Sequence, residues 1–353
     1  GIVSVISSDK WLEADYGISL QNYLEKRLIA IYGQRERTFG ADVNTVITVF
    51  TNEMLDTYAN FVYMEKYSTY EVRKNISVQR NDLIPGKWFY LRAPELFMKK
   101  IYPKLTRKLK DFAEIKFGIK TGANDFFYMK DISHLYESDY LANPEKFEEW
   151  GLKAKNEKEL KEQGLIYIEN EGKQKFVINA SDTRPIVRTI KDIDGYVIKK
   201  VNKLCLYTNN PGNYTKKYIK WGESQTVKIK GKDKTVKGYN NLSTTSARKV
   251  WYSLNELEPS KIILPMNIMD RFFIPTSEEP VICDNTLYTL KSEIKNIELY
   301  LNSTIFYMTM ELYLRRLGGG VGEIAVIDYE QMPVPDLKNL DLTKINIKLD
   351  REV

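Results

Sequence analysis

Histidine occurs once, at His134, and cysteine twice, at Cys205 and Cys283, in 353 residues. So few imidazoles and thiols give no Cys/His cluster for a structural zinc. They also give no disulfide framework, which makes a cytosolic setting the default. No apolar run approaches ~18 residues, so no transmembrane helix is expected. The opening residues lack the basic start, apolar core and small-residue cleavage site of a secretory leader, and none is expected. The chain carries no G-x-S-x-G, no G-x-x-x-x-G-K-[ST] and no H-E-x-x-H, which removes the nucleophile elbow, the P-loop and the zincin helix from consideration. Acidic residues beside lysines are scattered through it without forming a nuclease pattern. His134 has no nucleophile near it in the sequence.

What is present is a globular composition, 43% hydrophobic and 28% charged. Its length fits roughly two domains at ~150 residues each. The net charge of +6 would mean little if spread evenly, but it is not. Residues 137–173 hold ten acidic and six basic side chains, and read as a solvated, helix-rich excursion. Residues 214–251 hold ten basic side chains against Glu223 and Asp233, and Tyr214, Tyr218, Trp221, Tyr239, Trp251 and Tyr252 interleave with them. Clustered Lys and Arg attract phosphate backbones, and aromatic rings offer stacking. The same lysines would also keep an edge strand from aggregating.

Ile2–Ile6, Ile29–Tyr32 and Asn44–Phe50 read as strands, with a helix over Gly17–Arg27 between the first two. Three strands and one helix cannot cover both faces of an α/β sheet. The sequence is therefore expected to continue a layer whose other part lies upstream of Gly1. Residues 61–110 alternate strand-like pieces with a helix over Pro94–Lys108. Phe112–Met129 reads as two strand-like runs around the turn Lys120-Thr121-Gly122-Ala123-Asn124. Thr226–Lys230 and Thr235–Tyr239 flank Gly-Lys-Asp-Lys and predict a hairpin with its tip at Gly231–Lys234. If the strand ran straight through Gly231, Lys228, Lys230, Lys232 and Lys234 would share one face, and a turn there breaks that phase. Lys261–Pro265, Phe272–Pro275, Val281–Cys283 and Glu323–Ile327 read as further strands, with a helix over Ile294–Leu317. Gly318-Gly319-Gly320-Val321-Gly322 follows a predicted helix and precedes a predicted strand, the reverse of a phosphate-cradling loop, and reads as a connection.

Several of these pieces resemble the adenine-specific DNA methyltransferases of the Type IIG and TaqI-like restriction-modification group. Residues 7–50, with Ser-x-Lys-Trp-Leu, Tyr16-Gly17 and Thr-Phe-Gly-Ala-Asp-Val-Asn-Thr-Val-Ile-Thr-Val, are similar to the end of that group's catalytic domain. Phe117–Tyr128 resembles the opening of its specificity domain. Tyr218–Glu223, Tyr300–Ser303 with the glycine run, and Met332–Val334 resemble later segments in the same order. The resemblance implies an α+β chain. Residues 1–60 would be the truncated edge of a Rossmann-like methyltransferase α/β sheet, 61–110 a connector, 111–336 a mixed α/β target-recognition domain, and 337–353 a tail. It implies sequence-specific recognition of duplex DNA in the cytoplasm of a prokaryotic cell, presenting a flipped adenine for N6 methylation from S-adenosylmethionine.

The family's glycine-rich cofactor loop and its N-P-P-Y motif are not in this sequence. Asn209–Tyr214 has Gly212 where that motif needs proline, and reads as a turn. Both would lie upstream, in a catalytic N-terminal half. No bound cofactor and no catalysis are expected of these residues alone, and a nuclease domain in the parent stays open. By the Thr-Phe-Gly match, Phe39 would stack on the adenine extruded from the duplex. A loop anchor in a core is the other reading of Phe39. Candidate DNA contacts are Lys120, Thr121 and Asn124 on the turn, Lys216, Lys217, Lys228, Lys230, Lys232 and Lys234 in the basic stretch, and Arg271. Arg271 follows Asp270, which it either pairs with or leaves to read a base. Two rival readings use the same residues: a non-enzymatic specificity subunit acting in trans, and an RNA-binding or RNA-methylating protein. The N-terminal α/β edge argues against the first.

Overall fold

The computed structural model describes residues 1–35, 44–83, 86–193, 195–229, 231, 233–268, 272–316 and 321–344. The chain divides into two compact units, Gly1–Asp111 with Thr304–Val321 and Gln331–Leu340, and Phe112–Ser303 with Gly322–Glu330 and Asp341–Val353.

The first unit is built on strands β1 (Ile2–Ser8), β2 (Leu28–Gln34), β3 (Thr45–Thr51), β4 (Tyr58–Met64) and β5 (Val72–Gln79), with helix α1 (Ile18–Leu24) between β1 and β2. Their order is β1-β3-β2-β4-β5. β3 runs antiparallel to both β1 and β2, which therefore share a direction, and β4 lies parallel to β2. Residues 58–79, which the sequence divides between the sheet and a connector, supply two more strands of the same sheet. Buried Trp11, Phe61, Trp88, Phe89, Phe97 and Leu312 form one core here. Gln21 is wholly buried within it. Its Nε2 donates to the carbonyls of Trp11 and Leu12 at 2.8 and 3.1 Å, and its Oε1 accepts from the Gly86 amide at 2.6 Å. A buried amide so satisfied costs little and fixes the entry to α1. β1 differs from its neighbours, because Ile2, Val3, Val5 and Ile6 are all exposed. Alternate side chains point to opposite faces, so both faces of β1 are open. The helix expected over Pro94–Lys108 is shorter. It is irregular over Phe97–Lys104, and Arg107–Lys108 instead pair with Pro333–Val334.

The second unit carries a sheet of ten strands. Its elements are β6 (Ala113–Phe117), α2 (Asn124–Phe127), β7 (Tyr128–Asp131), α3 (Tyr136–Ala142), α4 (Pro144–Glu149), α5 (Glu157–Glu162), β8 (Leu165–Asn170), β9 (Lys175–Asn179), β10 (Thr183–Val187), β11 (Lys203–Leu206), α6 (Asn213–Ser224), β12 (Thr226–Lys228), β13 (Thr235–Lys237), β14 (Ser260–Pro265), β15 (Thr276–Cys283), β16 (Leu287–Ser292), α7 (Ile297–Leu301) and α8 (Val326–Gln331). The sheet order is β9-β8-β7-β11-β10-β15-β14-β16-β6, with Val197–Ile198 alongside β15. The β10–β15 pair is parallel, and the other pairs along that order are antiparallel. β12 and β13 form the separate hairpin.

Several expectations are corrected. Phe272–Pro275 is not a strand. The side chain of Asn302 takes the place of a ladder partner, accepting from the Ile274 amide at 2.9 Å and donating to the Ile274 carbonyl at 2.8 Å. Asn302 is also where the helix expected over Ile294–Leu317 breaks, into α7 and a separate helix Thr304–Tyr313. Glu323–Ile327 is not a strand beyond Glu323, because Asp328 accepts from the Ala325 amide at 3.0 Å and starts α8. The acidic excursion is helical only as far as Glu162 and then enters β8.

Candidate nucleic-acid interface

The turn Lys120–Asn124 leaves β6 and enters α2 through a close passage of backbone. A Cβ on Gly118 would lie 2.1 Å from the Asp284 carbonyl oxygen, so no larger residue fits there. This approach sets the Ile119–Asp284 bridge, with the Ile119 amide donating to the Cys283 carbonyl at 2.7 Å. Gly122 has φ +73, and its carbonyl accepts from the Thr244 hydroxyl at 2.6 Å. Arg248 closes the turn by donating through Nη2 to the carbonyls of Lys120 and Thr121 at 2.8 and 2.7 Å. Burial pulls the Arg248 guanidinium below its ordinary value. Thr121 is only 1% exposed, and its hydroxyl bonds Asn124 Oδ1. Thr121 therefore holds the turn and does not offer a surface contact. Lys120 is exposed and makes no ion pair among the described residues.

Below the turn lies a buried charge. Asp284 accepts from Tyr128 Oη at 2.6 Å, from Arg188 Nη1 at 2.9 Å and from the Thr286 amide and hydroxyl. It ties β7, β10 and the β15–β16 turn together. Burial and the adjoining carboxylate push the Tyr128 phenol far above its usual value.

The basic stretch splits into a helix and a hairpin. The sequence did not predict α6, although Thr215, Tyr218, Ile219 and Gly222 are buried at spacings of three and four. Its start explains Asn209–Tyr214. Asn179 Oδ1 accepts from the Tyr214 and Thr215 amides at 3.1 and 3.3 Å, and Asp182 Oδ2 accepts from the Gly212 amide at 2.9 Å. The helix N-terminus is thus capped by the protein's own oxygens. Lys216 and Lys220 are exposed on α6. Lys217 is tied back, donating to the Trp150 carbonyl at 2.6 Å and lying 5.1 Å over the Tyr214 ring.

The interleaved aromatics are chiefly core. Phe126 stacks on Tyr218 with centroids 4.6 Å apart and 6° between planes, and meets Tyr239 and Trp251 at 5.2 and 4.8 Å. Tyr218 Oη donates to the Phe126 carbonyl at 2.6 Å, and burial drives its phenol well up.

The hairpin forms as expected, with Val227 opposite Val236 and Lys228 opposite Thr235. Gly231 takes φ +75 at its tip. The chain reverses there, so Lys228 and Lys234 do not share a face. Lys228 shares its face with Lys237, whose pairing the linear alternation hid, and Val227 and Val236 turn the other way. Lys228 lies 3.8 Å from Asp233 in a fully exposed pair, and Lys234 is exposed. Phe39, Lys230, Lys232 and Arg271 lie outside the described residues.

Phe117 was missed as a functional candidate. It ends β6, is 57% exposed and lines a cleft of about 370 Å³ with Lys116, Lys120, Arg248 and Glu256. Among the described residues no group of His, Cys, Asp and Glu could hold a metal ion, and no helix is long and apolar enough to cross a membrane.

Residues 199–353, somewhat less than half of the chain, match the family described as "Type II methyltransferase M.Eco57I, C-terminal domain". This stretch belongs to that family. The M.Eco57I-type C-terminal domain thus takes in α6, the basic hairpin, Arg248 and the β14–β16 strands, while the Lys120–Asn124 turn precedes it. A comparison with the curated proteins finds no match. Three solved structures are similar at 12% identity. They are the type IIG restriction endonuclease BpuSI (96% of this chain and 40% of that one, TM-score 0.37), the Type IIL restriction-modification enzyme MmeI in complex with DNA (94% and 38%, TM-score 0.42) and the ATP-dependent Type ISP restriction-modification enzyme LlaBIII bound to DNA (95% and 24%, TM-score 0.30). The chain spans two fifths or less of each.

Proposed function

We propose that this chain recognises duplex DNA for an adenine-N6 methyltransferase of a restriction-modification system. The observation that carries the reading is the coincidence of the M.Eco57I-type domain with the exposed Lys228/Lys237 hairpin face and the exposed α6 lysines. Phosphates fix register through such cations, and side chains on turns reach base edges. In this reading Lys120, Asn124, Lys216, Lys228, Lys230, Lys232, Lys234 and Arg271 contact DNA, and Phe39 stacks on the extruded adenine.

The first unit supports a methyltransferase layer. β1 and β2 run in one direction with α1 between them, as a strand–helix–strand repeat requires, and β1 bares apolar side chains on both faces. We assign the cover of β1 to the catalytic portion of the parent enzyme.

S-adenosylmethionine would be the parent's methyl donor. A cradle for it needs a glycine turn from strand to helix with free amides. The turn between β11 and α6 contains Gly212, but Asn179 and Asp182 already occupy its amides. That turn does not fit the cofactor.

Competition between duplex DNA and single-stranded RNA for the chain tests the reading. Preferential, salt-sensitive binding of the duplex is expected. Preference for the RNA would favour the RNA-binding alternative.

A further inference from the structure

We propose that the cleft beside β6 takes one unstacked nucleotide of a DNA strand, its base on Phe117 and its phosphate on Lys120. This rests on the DNA-binding reading above and deepens it. Phe117 is exposed over more than half of its surface and lines that cleft.

Its position is fixed from behind. Phe117 pairs in register with Tyr288 across β16, and the rings meet nearly at right angles with centroids 5.1 Å apart. Tyr288 is buried and anchored by its hydroxyl to the Ile324 carbonyl at 3.1 Å. Gly118, pressed against Asp284, holds the next peptide in place. The platform is therefore rigid, which lowers the ordering cost of stacking a base on it.

The surroundings select the ligand. Lys116, Lys120 and Arg248 line the cleft against one carboxylate, that of Glu256. Lys116 pairs with Glu114 at 3.0 Å, and Arg248 is engaged with the turn's carbonyls. Lys120 is left as the cation that can take a phosphate. An apolar peptide would leave that charge unmatched, whereas a nucleotide supplies a π-face and an anion together. The volume falls within the roughly 300–1,000 Å³ of small-ligand clefts.

The test compares three duplexes of one sequence: fully paired, with one bulged adenosine, and with one bulged abasic deoxyribose. Fluorescence anisotropy reads their binding to the 353-residue chain. The bulged-adenosine duplex should bind about tenfold tighter than the abasic one, the order expected of one base on one ring. Phe117→Ala should erase that difference, and Phe117→Trp should keep it. Equal binding of the two bulged duplexes, or a preference that survives Phe117→Ala, overturns the proposal. If the paired duplex still binds in that case, only the cleft is refuted. If no duplex binds, the DNA-binding reading falls and the cleft with it.

Discussion

Arg248 and Thr121 stand 127 positions apart in sequence and are joined by one hydrogen bond of 2.7 Å, from Nη2 to the carbonyl oxygen. The same nitrogen reaches the Lys120 carbonyl, and Nη1 reaches the Trp251 carbonyl at 3.2 Å. One guanidinium therefore orders both the turn that carries Lys120 and the segment that follows the hairpin. Its role is geometric as much as electrostatic, because lysine has a single donor head and no planar fork.

Arg248→Ala should destabilise the second unit by about 2 kcal/mol, the order expected for hydrogen bonds from a charged donor to carbonyls left partly buried. Arg248→Lys should recover less than half of that. Chemical denaturation of both variants gives the comparison. Equal stability of Arg248→Lys and the wild type would mean that charge alone, and not the fork, holds the turn.

What the sequence disclosed follows from local pattern. Val227 and Val236 alternate with polar neighbours on either side of Gly-Lys-Asp-Lys, and a hairpin needs nothing more distant to form. α6 is hidden because Tyr218 and Trp221 read as recognition groups among lysines, although Tyr218, Ile219 and Gly222 fall on one helical face. Phe272–Pro275 and the break at Asn302 are illegible for another reason. A single asparagine side chain supplies the backbone partners there, and no periodicity records a bond between residues 274 and 302. Phe117 opens the Phe-Gly-Ile-Lys-Thr-Gly segment, but only the pairing of β6 with β16 shows that its ring is held beside a cleft.

Asp284 offers a second test of the turn's foundations. Removing it leaves Arg188 and the Tyr128 hydroxyl facing each other without the carboxylate. Asp284→Ala should cost about 3 kcal/mol, at the lower end for a buried ion pair because Arg188 retains Glu171 at 3.5 Å. Tyr128→Phe should cost about 1–2 kcal/mol. The double variant should cost less than the sum, since both changes remove the same hydrogen bond. Additive losses in urea unfolding would show that Tyr128 and Asp284 act independently.

Asp139 makes stability depend on acid. The bond from Lys175, at 2.8 Å, holds its carboxyl below the usual carboxylate value, with Tyr167 Oη adding a second bond at 2.9 Å. A depressed folded value means that the unfolded chain binds the proton first. The stabilisation is therefore complete above the unfolded value near 3.8 and is lost as pH falls through the lower folded one. Asp139→Asn should lower the denaturation midpoint at neutral pH, and the gap to wild type should close in strong acid. A gap that stays constant down to the acid limit would remove Asp139 from the account of acid sensitivity.

The hairpin lysines decide between a DNA-binding face and a solubility device. Lys228 and Lys237 share an exposed face that the antiparallel register creates. Replacing both with alanine should weaken duplex binding and flatten the dependence of log K on log salt by ~0.9 for each phosphate no longer neutralised. Adding Lys230→Ala and Lys232→Ala should flatten it further if the tip also lies on the backbone. Val227 and Val236 are untouched by these changes, so the hairpin should persist and the melting temperature should stay within a few degrees of wild type, as surface substitutions usually allow. Weaker binding with an unchanged salt slope would mean that the lysine stems pack against the DNA without neutralising a phosphate. No change in either quantity would leave the lysines with the sole task of keeping an exposed hairpin from pairing with its neighbours.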